Sequence, residues 1–242
     1  MAKAMAAPDL AVVLVGPRFP ENIGMVARAC ANMGCSDLRL VRPERWDFLK
    51  AEPLATAQGI AILKNLRIHD SLAAAIVDCE SAWATSARCG SRRGKPRPPD
   101  IAAQEIAACA GKTALVFGPE DRGLANDELG QCQRLIRIRT APGASSLNLA
   151  QAVLIVLYEC AKAATERPAS HATGKKRITV GEWQLLAGQF RQMLGDLDCL
   201  AGRSPERYFQ QWSAILRHGD LSRQEYDTLM GFCRQVLNKL GR

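Results

Sequence analysis

The sequence predicts an α/β protein: a mostly parallel sheet flanked by helices, followed by an all-helical C-terminal extension. Three observations predict it. Over the first two-thirds of the 242 residues, short β-branched runs alternate with helix-length segments, the pattern of strands joined by helical crossovers. The strand-like runs are apolar almost throughout, as strands buried on both faces of a parallel sheet are. Beyond residue 164 the strand signals stop and only helical patterns follow a polar stretch.

Each element has its own warrant. "LAVVLVG" (10–16) is a β-branched run stopped by Gly-Pro, and "NIGMVARACANMG" (22–34) is a small-residue helix closed by Gly34. Asn22 stands where an N-cap side chain would serve. "DLRLVRP" (37–43) is a strand stopped by Pro43, "DSLAAAIVDC" (70–79) a helix, and "ESAWATSA" (80–87) a strand. "PPDIAAQEIAAC" (98–109) is a helix entered through prolines, which tolerate a first turn. "TALVFGP" (113–119) is a strand, "LANDELGQC" (124–132) a short helix and "RLIRIRT" (134–140) a strand. A long apolar helix over 146–164 follows, opening on "SSLNLAQAV". Its serines suit an N-cap, and Asn148, between Leu147 and Leu149, needs a partner if it is buried.

"TERPASHATGKKR" (165–177) is polar, with Pro, Gly and a basic run, and reads as a linker. Helices are expected over 180–197, 204–219 and 222–240, burying Trp183, Phe190, Tyr208, Phe209, Trp212 and Phe232. Ser204 before Pro205 is one start signal; Ser222 three residues before Glu225 is a capping box. The division expected is 1–164, linker 165–177, extension 178–242.

Composition narrows the chemistry. Lys and Arg total 32 against 24 acids, a formal charge of +8, which favours a polyanion such as RNA or simply reflects a basic surface. Nine cysteines show no C-x-x-C spacing and only three histidines could join them, so they read as core thiols in a reducing compartment and no metal is expected. No apolar run reaches the ~18 residues of a membrane span, and the first ten residues lack a signal-peptide core, so a cytoplasmic protein is expected. G-x-G-x-x-G, G-x-S-x-G and H-E-x-x-H are absent, and "GSRRGK" (90–95) is too short for a P-loop.

Unusual residues gather instead where strands end. Two strands finish alike, at Gly16–Pro17 and Gly118–Pro119; a third ends in "ATSAR" (84–88) and a fourth runs into "IRIRTAPGASS" (136–146). Ligands of open parallel sheets bind at these carboxyl ends. A lining of backbone groups and hydroxyls suits a neutral or zwitterionic ligand better than a triphosphate. In the first helix Gly24, Ala27 and Ala31 would let another backbone approach, with Arg28 at the edge of that contact. Gly118 and Gly123 bracket a turn that holds Glu120. A basic run follows the third strand: Arg88, Arg92, Arg93, Lys95 and Arg97.

Three of these segments resemble the ordered motifs of the SpoU-type SPOUT RNA methyltransferases: Asn22, Gly24 and Arg28; then Gly118, Glu120 and Gly123; then Ser145 to Ala150. The "TSAR" segment and helical tail look closest to the TrmJ group of tRNA 2'-O-methyltransferases. The resemblance implies a C-terminal trefoil knot, which general rules of chain topology would not have suggested. It also implies S-adenosyl-L-methionine as methyl donor, a homodimer, and tRNA as substrate, with the pyrimidine opening the anticodon loop as the target. Ribosomal RNA, or a non-catalytic RNA-binding member, are the alternatives. Carried over, the donor would be held by Thr85, Ser86, Ala87, Gly118, Ile138, Ser145, Ser146 and Leu147. The catalytic set would be Arg28, Asn22, Glu120, Ser146 and Asn148, with Arg28 acting beside the partner subunit's donor pocket. A guanidinium has no acceptor, so Arg28 would orient the ribose and its phosphate and stabilise alkoxide charge rather than take the proton.

Overall fold

The computed structural model describes residues 9–86, 95–143, 146–166, 177–196, 208–209 and 221–240. The chain divides into two compact units, Met1–Gly174 and Lys175–Arg242. A wholly parallel six-stranded sheet runs through the first: β1 (Leu10–Val15), β2 (Asp37–Val41), β3 (Arg67–His69), β4 (Ser81–Thr85), β5 (Thr113–Phe117) and β6 (Arg134–Ile136). Their order is β3-β2-β1-β5-β4-β6. Every residue of the central β1 and β5 is buried, which is why both read as unbroken apolar runs.

The helices of this unit are α1 (Pro20–Asn32), α2 (Phe48–Ala51), α3 (Ala57–Asn65), α4 (Leu72–Ala75), α5 (Pro99–Ala107), α6 (Asn126–Gly130) and α7 (Leu149–Glu166). The core lies between α1, α3, α5 and α7 and one sheet face, to which the strands contribute Val12, Leu14, Leu40, Trp83, Leu115, Phe117 and Ile136. Burying each of the larger side chains contributes about 1.5–3 kcal/mol. Seven cysteines among the described residues are free thiols, six of them buried. Burial pushes Cys79 and Cys160 up to about 12, so neither is a thiolate at neutral pH.

The strand starts form the opposite edge, which is held by charge. Arg39, 1% exposed, donates to Asp37 at 2.6 Å and to Asp78 at 2.9 Å. Arg67 and Lys112 also donate to Asp37, at 2.8 and 3.1 Å. Burial alone would raise the pKa of Asp37, but hydrogen bonds from Arg39, Arg67 and Lys112 outweigh it and hold the carboxyl well below the usual range.

Several boundaries differ from expectation. The stretch between Pro43 and Asp70, to which the pattern assigned no element, holds α2, α3 and the edge strand β3. Their caps are ordinary: Asp47 accepts from Leu49 and Lys50, and Thr56 from Gly59. The helix expected over 70–79 is a single turn, and the strand expected over 134–140 ends at Ile136. In the second unit, α8 (Val180–Asp196) and α9 (Arg223–Lys239) pack through Leu186, Phe190, Met230, Cys233 and Leu237, joined by Phe209. Ser222 and Glu225 close the expected capping box. Most of the helix expected over 204–219, and most of the linker, lie outside the described residues.

Candidate functional site

The strand order places the site. From β1 the chain moves outward to β2 and β3; β4 then opens the other half and β5 enters between β4 and β1. The loops after β1 and β5 therefore flank the switch point, where such sheets bind ligands. The two Gly-Pro corners meet there. A Cβ on Gly16, whose φ is +54°, would stand 3.3 Å from Pro119 Cγ. A Cβ on Gly118 would lie 2.3 Å from the Leu124 amide nitrogen and 2.5 Å from the Gly123 carbonyl carbon. Gly118 is thus required by the loop's own closure, whatever else it touches.

Glu120 projects from that loop and uses both oxygens. Oε1 accepts from Asn22 Nδ2 at 2.7 Å, and Oε2 from the Arg18 amide at 3.2 Å. Asn22 Oδ1 in turn accepts from Asn148 Nδ2 at 3.0 Å, leaving Asn148 Oδ1 to accept from the Ala150 and Gln151 amides at 2.9 and 3.4 Å. The orientation of each amide follows from the one before. A carboxylate only accepts, so Asn22 must turn its NH2 to Glu120 and its oxygen to Asn148. Asn148 then has only its oxygen left for the orphan N–H groups of α7.

The geometry corrects three expectations. Asn22 is no N-cap: α1 starts at Pro20, and Asn22 lies within its first turn, buried. Asn148 is not within the helix but caps it, the role expected of the serines. Nor is it buried; Asn148 and Ser146 are exposed and Leu147 is half-buried. The amide is placed for its hydrogen bonds, not despite a cost of burial.

Two clamps that the sequence reading missed hold the same corner. Arg18 pairs with Glu44 at 3.2 Å and Asp121 at 2.8 Å. Arg42, at φ +46°, reaches the buried Glu128 at 3.0 Å across the loop after β5. A non-glycine residue at positive φ stores strain, and here it directs the arginine at the α6 carboxylate, which also accepts from Ala125 N at 2.8 Å. The Glu128 signal was visible as an acid three residues after the helix's cap position; its arginine was not.

The remaining candidates fall in two groups. Thr85, Ser86 and Gly118 end adjacent strands, and Ser86 N donates to Ile136 O at 3.0 Å, setting β4's end beside β6. Thr85 turns its hydroxyl back to Val116 O at 3.2 Å. Ile138 lies two residues past β6, half-buried against the core. Ala87 and Ser145 lie outside the described residues, as do Arg88, Arg92 and Arg93. Arg97 is engaged, pairing with Glu105 at 2.9 Å. Arg28 is not brought to the Asn22 chain. It is exposed on α1 and carries no hydrogen bond or ion pair among the described residues.

The small face of α1 is not free. A Cβ on Gly24 would meet Ala51 O at 2.1 Å, and Ala27 is fully buried beside Gly59 of α3. The close approach expected from a second backbone is made by this chain's own α2–α3 segment.

Residues 9–158 match the model of the SpoU rRNA methylase family. The chain belongs to this family. Along 93% of its length it is 33% identical to the tRNA (cytidine/uridine/adenosine-2'-O-)-methyltransferase TrmJ of Pseudomonas aeruginosa, 92% of which is covered. TrmJ of Methanocaldococcus jannaschii, a tRNA (cytidine-2'-O-)-methyltransferase, is 35% identical over 62% of this chain and 66% of its own. Among solved structures, TrmJ from Z. mobilis ZM4 superposes with a TM-score of 0.78 at 31% identity, covering 93% of this chain and 98% of that one. The family match ends before the second unit, whereas the full-length similarity to TrmJ extends into it.

Proposed function

We propose that this protein is an S-adenosylmethionine-dependent methyltransferase that modifies a ribose 2'-hydroxyl of tRNA, at the pyrimidine opening the anticodon loop. One observation carries the reading. The Glu120–Asn22–Asn148 chain joins segments 98 and 126 residues apart at the sheet's switch point, in a chain similar to a tRNA 2'-O-methyltransferase along nearly its whole length. The relatives named above share cytidine as a target, which supports a pyrimidine.

The described residues fit the donor. Ser86 and Gly118, with Ile138 beyond, bring backbone groups, a hydroxyl and an apolar side chain to the ends of neighbouring strands. That suits a zwitterionic amino acid with a nucleoside better than a polyphosphate. Thr85, Ala87, Ser145, Ser146 and Leu147 complete the set we assign to it. Bound there, the donor supplies a methyl group on a positively charged sulfur. Most of the rate would then come from alignment of the 2'-hydroxyl. Arg28 orients the ribose and its phosphate and stabilises charge growing on the 2'-oxygen; the proton goes to another acceptor. Asn22, Glu120 and Asn148 hold the corner, and Ser146 faces outward beside them.

An exposed Arg28, unpaired among the described residues, fits action across a subunit boundary, so we assign a homodimer, built not on the small face of α1 but on α7. There Leu154 and Tyr158, one turn apart, are 39% and 49% exposed. The trefoil knot belongs to the same reading, supported by the chain's return from edge strand β6 to α7 packed on α1 and α5. So do a cytoplasmic location and a division into a catalytic unit and a helical extension. Among the described residues no helix is long and apolar enough to cross a membrane, and no group of three or more His, Cys, Asp or Glu is placed to hold a metal.

Nucleosides of tRNA and rRNA from a deletion strain, separated and weighed by mass spectrometry, test the reading. A 2'-O-methylpyrimidine should vanish from tRNA and return with the wild-type gene. The family model's rRNA description favours a second reading, which a loss confined to rRNA would establish instead.

A further inference from the structure

The loop joining β1 to α1 is fixed at every residue but one side chain. Gly16 N donates to Val41 O at 2.7 Å, and Pro17 O accepts from Glu44 N at 3.1 Å. Arg18 is held at its amide by Glu120 and at its guanidinium by Glu44 and Asp121. Phe19 O accepts from the Asn22 and Ile23 amides at 3.0 and 3.4 Å, while Pro17 and Pro20 are buried. The ring of Phe19 alone stands out, 51% exposed, with the Arg18 guanidinium carbon 5.9 Å from its centre. It projects one helical turn from the Asn22–Glu120 contact.

We infer that Phe19 is a stacking platform for an unpaired base of the RNA strand that carries the target ribose. This rests on the function proposed above and adds the residue that positions the substrate. A rigid loop presenting one aromatic face offers what an unstacked base needs, without selecting its identity. The surroundings choose this occupant over a second copy of the chain. Arg18 stands beside the phenyl group and brings its partners Glu44 and Asp121 to the same corner, whereas the centre of a subunit interface is depleted of charged residues. The Arg18 charge is already met by two carboxylates, so it serves as a wall beside the ring rather than as a phosphate contact.

The test uses the full-length protein with S-adenosylhomocysteine present and unfractionated bacterial tRNA as the probe. Phe19→Ala should weaken tRNA binding about 5- to 100-fold, the equivalent of about 1–3 kcal/mol for one stacked base. Phe19→Trp should bind as wild type, and Phe19→Leu as poorly as alanine, since leucine is apolar but has no face to stack. Sedimentation and S-adenosylhomocysteine affinity should be the same in all three. Full binding by the leucine or alanine variant overturns the platform, as does a change in subunit assembly in step with the loss of binding. Failure of the wild-type protein to bind tRNA would instead count against the function itself, and Phe19 with it.

Discussion

At the scale of single residues, the site separates groups that hold the corner from groups that face outward. Arg28 belongs to the second kind. Exposed, and unpaired among the described residues, it contributes little to folding, so Arg28→Ala should shift stability by no more than about 0.5 kcal/mol. Turnover should fall about 100-fold or more, the scale of losing a fixed charge-stabilising group, with donor-analogue affinity retained. Thermal melting beside single-turnover methylation separates the two, and a variant as active as wild type would remove Arg28 from the chemistry. Glu120 belongs to the first kind. In Glu120→Gln one of the two N–H donors must face an NH2 group, which should cost about 1–3 kcal/mol in urea denaturation. Because Asn22 and Asn148 are oriented in series from that carboxylate, turnover should fall as well. Unchanged stability would mean that the series is not set from Glu120.

At the scale of elements, α1 serves its own fold first. Gly24→Ala would ordinarily favour a helix by about 1 kcal/mol. Here the new methyl group lies 2.1 Å from Ala51 O, so overpacking of about 1–3 kcal/mol should win and the variant should melt lower. A higher melting temperature would show that α2 yields. Ala27→Leu should likewise destabilise the protomer, so a loss of activity there says nothing about assembly. Assembly is better probed on α7. Leu154→Glu with Tyr158→Glu should leave the fold intact and give monomers in sedimentation equilibrium, with methylation lost. A stable, fully assembled double variant would place the interface elsewhere.

For the molecule as a whole, the parallel sheet divides its labour between two edges: the groups we assign to the donor where strands end, a charge network where they begin. The second edge sets the acid limit of stability. Asp37 and Asp78 both have pKa values lowered in the folded protein. Their stabilisation is therefore complete above the unfolded carboxylate value of about 4 and is lost as pH falls below it toward their folded values. Asp37→Asn removes a partner of the buried Arg39 and should cost about 3 kcal/mol at neutral pH. It should also flatten the decline in urea midpoint below about pH 4. A variant with the wild-type acid profile would assign that decline to other carboxylates.

The alternation of apolar runs with helix-length segments, the Gly-Pro corners and the three spaced motifs were enough to specify a parallel sheet and, among the candidate residues, Asn22, Glu120 and Asn148, which the fold brings together. Those features are local: a buried strand needs an apolar run, a tight corner needs glycine, and a cap needs a short polar side chain, wherever the rest of the chain goes. The sequence did not show β3, because a three-residue exposed edge strand needs no apolar pattern. Nor did it show that the Asn148 that caps α7 also donates to Asn22, that Arg18 and Arg42 clamp the corner, or that α3 fills the small face of α1. Each of these joins residues tens of positions apart. Such pairings depend on which loops the strand order brings together, and the tertiary structure alone decides that.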